Sequence, residues 1–483
     1  MLKKTQPDEL QDYLTDASNM AGGHAEQLFI PKSAGEVAHI LREANAKHIP
    51  VTVAGARTGT VGGAIPFGGW IVSLEKLDKI SINRETRTAT VGAGVILAEV
   101  QKAVESEGLF YPPDPTEWSC QIGGTVATNA SGARSFKYGS TREFVDRLDI
   151  ILANGEGITV RRGTPAAGFP FPLPPLTYER PNVRKNVSGY FHSTPSDTID
   201  PFIGSEGTLG VITEIELRLI PKPEAHFGGI VFFNSEAKLL SFVDEVRSAS
   251  LGTRQAGSNV DASLLEYFDD RALNFISEKF PDTPLAAGAI FFEQETSAEN
   301  EDAIVAAWSE ILDKHGADVE QSWFSANGQD REKMREFRHA LPVAVNERIV
   351  RSGQRKIGTD MAVPDDNFRS YLRYYKEILE ESGIDYVIFG HIGDCHLHAN
   401  LLPKNDEEAE RARHIYGRCV AQAIMLGGTV SAEHGIGKLK RKYLAAMMGE
   451  RYLNEMAAMK RALDPNRILG RGNMFDESYL DSV

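Results

Sequence analysis

Residues Ala54-Gly55-Ala56-Arg57-Thr58-Gly59-Thr60-Val61-Gly62-Gly63 follow one apolar strand, predicted over Pro50–Ala54, and lead to another, predicted over Trp70–Leu74, with no helical pattern between. The glycine-rich loop of a dinucleotide-binding βαβ unit must open a helix, so that fold is excluded here. Phosphate is not excluded. Successive small residues let backbone N–H groups converge on an anion, and Arg57 and Thr58 add donors. On its own such a loop also reads as an ordinary turn between strands.

The surrounding pattern is mixed. Ser33 and Glu36 form a capping-box signal that opens an amphipathic helix to about Lys47. Further strands are predicted at Thr88–Val91, Leu148–Leu152 and Gly210–Leu219, so strands and turns outnumber helices up to residue 222. Thr164–Pro181, with its PAAGFPFPLPPL run, reads as an extended surface loop and an insertion, and Pro221-Lys222-Pro223 as a boundary. Beyond it, strands at Ile230–Phe233, Ala287–Glu293 and Tyr386–His391 alternate with helices near Glu236–Ser248 and Ala298–His315, the pattern of a second domain. A helix over Asp406–Met425 stops at Gly427-Gly428, and a last one over Lys440–Leu463 stops at Asp464-Pro465. The basic run Lys438–Lys442 is read as a solvated helix face.

At 483 residues, 25% charged and 42% hydrophobic, the chain has room for several cores. Its formal charge of −15 argues against nucleic acid as a partner. No apolar run reaches the length of about 18 residues that a membrane helix needs, and the polar start MLKKTQPDEL leads us to expect a cytoplasmic protein. Three cysteines, Cys120, Cys395 and Cys419, lie far apart and make neither a disulfide framework nor a four-cysteine cluster. Electrons leaving such a chain need an external acceptor.

Three more segments share the character of the first loop: Pro112–Thr116, Ile122–Gly132 and Gly204–Thr213. The last two pair glycine with small hydroxyl or amide residues, which lets backbone approach a large planar polar ligand and its diphosphate. Four tight turns in a strand-rich fold are the other reading.

Gly390-His391-Ile392-Gly393-Asp394-Cys395-His396-Leu397-His398 places three histidines in eight residues, at the end of one strand and the start of the next. Period-two alternation puts His396 and His398 on one face, and the Gly-Asp turn can return His391 to them, so all three are candidate ligands. Ser431-Ala432-Glu433-His434-Gly435-Ile436-Gly437 adds a carboxylate and an imidazole in a glycine-flanked turn.

The stretches PKSAGEVAHILREANAKHIPVTVAG, PPDP, IGGTVATNASGARSFKYG, KNVSGY and FIGSEGTLGVITEIELRLIPKP, in this order, resemble the FAD-binding (PCMH-type) domain of the vanillyl-alcohol-oxidase superfamily. The resembling branch holds D-lactate dehydrogenases, the glycolate oxidase D subunit and D-2-hydroxyglutarate dehydrogenase, and the match runs from about Tyr13 to Arg471. It implies an α+β fold: a two-subdomain FAD-binding domain over 1–222, an α/β cap with an antiparallel sheet over 223–430, and a segment over 431–483 that completes the active site and packs on the FAD domain. By position, flavin contacts fall on Gly55, Ala56, Arg57, Thr58, Gly59, Thr60, Gly62 and Gly63, then on Pro113, Asp114, Gly123, Gly124, Thr128, Asn129, Gly132, Tyr138 and Gly139, and on Glu206, Gly207, Gly210 and Ile212. The branch usually has an arginine and three glycines where this chain has Ala54-Gly55-Ala56-Arg57, and Arg57 stands to replace the lost charge. No histidine lies between His48 and His192, so non-covalent FAD is expected. Cys120 reads as a small buried thiol, or one facing the flavin.

The same branch carries GHxGDxxLH and EHGIG, whose outer histidines and glutamate bind a divalent metal; here these are His391, His398 and Glu433. His396 stands where relatives often have asparagine and is expected to tune the site rather than ligate. Two histidines and one carboxylate suit Zn²⁺ first, then Mn²⁺ or Fe²⁺. The resemblance implies oxidation of a D-2-hydroxyacid to the 2-oxoacid: hydride passes to flavin N5, His434 takes the hydroxyl proton, the metal polarises the 2-hydroxyl, and Arg338 binds the substrate carboxylate. Where the hydroxyglutarate enzyme has a threonine this chain has Pro342, and where it has a substrate-binding lysine this chain has Gly358, with Lys356 nearby. A D-lactate-like monocarboxylate is therefore favoured.

The acceptor implied is a quinone, a cytochrome, an electron-transfer flavoprotein or an iron–sulfur partner subunit, and such an acceptor partner allows a peripheral place at a membrane. A homodimer is compatible. Two alternatives stand beside this reading: a non-redox FAD transferase like alkyl-glycerone-phosphate synthase, and a flavoprotein subunit that only relays electrons within a complex.

Overall fold

The structure, a computed structural model, describes every residue except 257, 258, 326, 482 and 483. Near the N-terminus a four-stranded sheet runs in the order Leu2–Lys4, Gln27–Ile30, Trp70–Ser73, Val51–Ala54. Gln27–Ile30 and Val51–Ala54 both run parallel to Trp70–Ser73. Parallel strands need a crossover, and the helix Ala34–Ala46 carries the chain from Gln27–Ile30 to Val51–Ala54. Ser33 Oγ accepts the Glu36 N–H at 3.3 Å and the Glu36 carboxylate accepts the Lys32 N–H at 2.8 Å, so the expected cap forms with its return bond one residue earlier. The helix buries Val37, Ile40, Leu41 and Ala44 in one stripe. The next connection, from Val51–Ala54 to Trp70–Ser73, contains no helix; the glycine-rich loop makes it.

A five-stranded antiparallel sheet follows, ordered Ile80–Asn83, Thr88–Gly92, Val211–Arg218, Val145–Ile151, Gly157–Arg161. One segment departs from expectation. Ile122–Thr128, read as a glycine turn, is a short helix ended by Asn129 in the left-handed region at φ 49°. Two glycines make it a poor helix by propensity, and packing overrides this: a β-carbon on Gly123 would stand 2.6 Å from Ala93 Cβ, so only glycine lets the helix sit directly against the sheet. Thr164–Pro181 has no regular secondary structure beyond the 3₁₀ turn Ala166–Gly168, and it is part-exposed, with Phe169 and Tyr178 buried in the core.

The larger sheet has seven strands, ordered Asp318–Phe324, Ala225–Phe233, Gly288–Thr296, Leu264–Asp269, Tyr386–Gly390, His398–Leu401, Ile357–Gly358, and the pairs are antiparallel. Both faces are covered. Ile230 and Phe232 pack in one core with Phe337, Leu341 and Val345 of the helix Gly328–Ser352. Val231 and Phe233 pack in another with Phe242 of the helix Glu236–Ala256 and Trp308 of the helix Glu301–His315. This explains why Ile230–Phe233 reads as an unbroken apolar run although its sheet is antiparallel. At the other side of the sheet, Phe389 pairs with His398 across the hairpin Tyr386–Gly390/His398–Leu401, closed by the turn Ile392–Asp394. Among the described residues no helix is long and apolar enough to cross a membrane.

Candidate active site

A cavity of about 340 Å³ is lined by the loop 55–64, the helix Ile122–Thr128 and residues 206–212, together with His391, Glu433 and His434. All of the expected flavin contacts line it except Gly62, Pro113, Asp114, Asn129, Tyr138 and Gly139. Its wall suits a large planar ligand. Apart from the adjoining backbone and chain neighbours, nothing lies within 4 Å of where a β-carbon on Gly59 or Gly124 would stand, and the Gln121 Oε1, buried and without a partner, is 3.4 Å from that point on Gly55. Arg57 lines the wall with φ 61°, its guanidinium 4.4 Å above the Tyr13 ring and donating to the Gly55 carbonyl.

The six residues off the wall make contacts within the protein. The Gly62 carbonyl accepts from Lys438 Nζ at 3.1 Å, and the Pro113 carbonyl accepts from Gln101 at 3.2 Å. Asp114 pairs with Arg134 at 3.1 Å. Asn129 Oδ1 accepts the Arg142 N–H at 2.9 Å. The Tyr138 hydroxyl donates to Glu295 at 2.7 Å, and Gly139 ends the short helix Ser135–Tyr138 at φ 78°. Cys120 lies on the cavity wall with its thiol pushed up to about 12 by burial, the form of an inert packing group.

The hairpin gathers the three histidines. His391, His396, His398 and Glu433 each place one ligand atom within 4.8 Å of all the others. His391 Nε2 is 3.2 Å and His398 Nε2 is 3.0 Å from the Glu433 carboxylate. The outer ring nitrogens are held elsewhere: His391 Nδ1 by Glu266 at 2.5 Å, and His398 Nδ1 by the Thr359 carbonyl at 2.8 Å. Burial draws His391 down, but the Glu266 carboxylate outweighs it and lifts the imidazole to about 9. Burial likewise pushes Glu433 up, and Lys185 and His391 more than reverse it, so this carboxyl stays ionised well below its ordinary range. Glu433 is an anionic donor for a divalent cation, and His391 would become a neutral one by giving up its Nε2 proton on binding.

His434 stands beside this cluster, its ring stacked on His398 with centroids 5.1 Å apart. Its Nδ1 is 3.5 Å from Asp360. Burial holds its pKa down at about 3 against the pull of Asp360, so the imidazole is neutral at ordinary pH. Asp360 is fully buried and accepts the backbone N–H groups of Glu433 at 3.2 Å and His434 at 3.1 Å, the Ser431 hydroxyl at 2.6 Å, and the Lys440 ammonium at 2.5 Å. The basic run is thus not a solvated face: Lys440 is buried on Asp360, and Lys438 bonds Gly62 and Asn473. Glu206 accepts the N–H groups of Ile436 and Gly437, each at 2.6 Å. Gly437 has φ 50°, and a β-carbon there would stand 2.2 Å from the Val61 carbonyl, so this turn docks onto the glycine-rich loop only as glycine.

Arg338 is not on the cavity wall. It is buried, and its Nε donates to Glu266 Oε2 at 3.4 Å, joining it to His391 through one carboxylate. Lys356 reaches over Gly358, its Cε 3.3 Å from where that residue's β-carbon would be. Three residues with no assigned role from sequence complete the site: Asp360, Glu266 and Lys185. Lys185 is buried and bonds Glu433 at 3.0 Å and the Gly132 carbonyl at 3.1 Å, linking the cavity wall to the histidine cluster. Glu266 had one signal, a carboxylate inside the apolar strand Leu264–Asp269.

Two family models match: "FAD binding domain" over residues 25–161 and "FAD linked oxidases, C-terminal domain" over residues 234–474. The chain is 31% identical over 486 residues to D-2-hydroxyglutarate dehydrogenase of Xanthomonas citri pv. viticola, covering 98% of this chain and 94% of that protein. This chain belongs to the FAD-linked oxidase family. Its branch is that of the FAD-dependent D-2-hydroxyacid dehydrogenases, and it is an oxidoreductase. It is 30% identical to D-lactate dehydrogenase of Anaerostipes hadrus (97% and 93% covered) and 29% to glycolate oxidase subunit GlcD of Bacillus subtilis (96% and 92% covered). Its fold matches p-cresol methylhydroxylase with a TM-score of 0.74 at 16% identity, covering 100% of this chain and 95% of that one. Alkyldihydroxyacetonephosphate synthase gives 0.70 at 16% identity, with 97% and 81% covered. The expected α+β architecture, with a FAD-binding domain and an antiparallel-sheet domain, is therefore the one observed.

Proposed function

We propose that this FAD-linked dehydrogenase oxidises a D-2-hydroxyacid of the D-lactate kind to its 2-oxoacid, with non-covalent FAD in the cavity and a divalent metal on His391, His398 and Glu433. The observation that carries the reading is the convergence of His434, the histidine cluster and the cavity wall at one place. Bound FAD supplies the two-electron acceptor for the substrate's C2 hydride, and the metal supplies the charge that makes a 2-hydroxyl acidic.

The chain's own residues do the rest. Neutral His434 takes the hydroxyl proton, and buried Asp360 stabilises the imidazolium that forms, 3.5 Å from Nδ1. Glu266 and the Thr359 carbonyl fix which nitrogens of His391 and His398 face Glu433. Lys185 and His391 keep Glu433 anionic. Arg338 contributes positive charge through Glu266 rather than at the wall, so its role as carboxylate anchor requires it to leave that ion pair. Pro342 and Gly358 offer no side-chain donor for a distal carboxylate, which favours a monocarboxylate.

We also infer a FAD-binding part to residue 222, a cap over 223–430 and a closing segment over 431–483. Bonds from Lys438 to Gly62, from Asn473 to Gly63 and Glu206, and from Val51 to Ile468 support the packing of the last on the first. Anaerobic titration with D-lactate, L-lactate and D-2-hydroxyglutarate tests the function. Bleaching of the flavin band by D-lactate first is expected; an oxidised flavin with every D-2-hydroxyacid in metal-loaded protein sinks the reading.

A further inference from the structure

His396 is fully buried, and neither of its ring nitrogens makes a well-aligned hydrogen bond. Leaving a buried polar group without a partner is costly, so such a ring calls for a physical reason. Its surroundings repeat those of its two neighbours. His391 is held at Nδ1 by a carboxylate, 2.5 Å away on Glu266, and turns Nε2 toward Glu433 at 3.2 Å. His398 is held at Nδ1 by a carbonyl, 2.8 Å away on Thr359, and turns Nε2 toward Glu433 at 3.0 Å. His396 has a carboxylate 3.2 Å from Nε2, on Asp360, and turns Nδ1 toward Glu433 at 4.0 Å.

Each imidazole thus has an acceptor behind one nitrogen and turns the other toward one glutamate, the arrangement that outer partners impose on metal-bound histidines. A packing histidine needs no such convergence. The four ligand atoms lie within 4.8 Å of one another before any cation draws them together, and donors at about 2.0–2.2 Å from one ion stand within that span.

We propose that His396 is itself a metal ligand through Nδ1, giving this chain a three-histidine, one-glutamate site where the family pattern has two histidines and one glutamate. The inference rests on the metal reading above and deepens it. Four protein donors leave two places of an octahedral shell, the number that a 2-hydroxyacid fills with its hydroxyl and one carboxylate oxygen. The site is therefore matched to a six-coordinating ion of the Mn²⁺, Fe²⁺ or Co²⁺ type, which a closed tetrahedral Zn²⁺ shell is not.

The test uses the FAD-loaded full chain, stripped with a chelator and titrated with Co²⁺ alone. Proton spectra of the cobalt protein count exchangeable, hyperfine-shifted ring N–H signals, one per histidine ligand. The wild type is expected to show three, and His396→Asn two, with a Co²⁺ Kd at least about tenfold higher. Two signals in the wild type, or an unchanged Kd in His396→Asn while His391→Ala abolishes binding, overturns His396 as a ligand and leaves the metal site standing. Absence of stoichiometric Co²⁺ binding in the wild type overturns both. The count in the wild type decides the matter even if a variant fails to fold.

Discussion

His434 Nδ1 stands 3.5 Å from an oxygen of Asp360, a carboxylate with no exposure to solvent. The same carboxylate takes the amide protons of Glu433 and His434. One group thus holds the turn in place and stands ready to stabilise a proton on its histidine. Replacing it as Asp360→Asn removes the charge opposite the developing imidazolium and leaves Lys440 unpaired. Flavin reduction is expected to slow by about 10²-fold or more, and stability to fall by about 3–5 kcal/mol as the stranded ammonium loses its partner. Stopped-flow reduction and denaturant titration measure the two separately.

Glu266 offers a test of orientation without touching a donor to the metal. In Glu266→Gln the bond to His391 Nδ1 survives only weakly and the Arg338 ion pair is lost. Metal affinity is expected to fall about 10–100-fold, read as Kd by competition with a chromophoric chelator. Wild-type affinity in this variant would show that His391 needs no carboxylate behind it.

These outer residues mark where the sequence stopped being readable. GHxGDxxLH and EHGIG carry local signals, histidines at a hairpin and glycines at a tight turn, and the chain brings them together as expected. Asp360, Glu266 and Lys185 join from distant positions, and each contact depends on tertiary packing that no local pattern records. The ion pairs of Arg338 with Glu266 and of Asp114 with Arg134 escape the sequence for the same reason, since no local pattern shows which charge meets which. The helix Ile122–Thr128 was missed because close packing on Ala93, rather than propensity, selects its glycines.

Gly437→Ala is expected to be costly. Its φ of 50° disfavours a side chain, and the new β-carbon would meet the Val61 carbonyl at 2.2 Å. Undocking this turn from the glycine-rich loop should lower Tm by several degrees and release flavin more readily. Filtration of the variant and absorbance of the filtrate give the second quantity; full flavin retention with unchanged Tm would refute it.

Asp269 gives a pH signature away from the site. Burial lifts its carboxyl to about 7 despite its bonds to the Ala272 and Ile388 N–H groups. A raised carboxyl stabilises the fold below its ordinary range and loses that contribution as pH rises toward about 7, at up to about 1.4 kcal/mol per pH unit. The stability gap between wild type and Asp269→Asn should therefore favour the wild type more at pH 5 than at pH 8. Denaturation at both values measures it, and a constant gap would contradict the shift.

The most direct test of the central claim is the rate of anaerobic flavin reduction by D-lactate in the metal-loaded wild type and in His434→Ala. The wild-type flavin should bleach, and the variant should keep its FAD yet reduce it at least about 10²-fold more slowly. Equal rates in the two proteins would contradict His434 as the group that takes the hydroxyl proton.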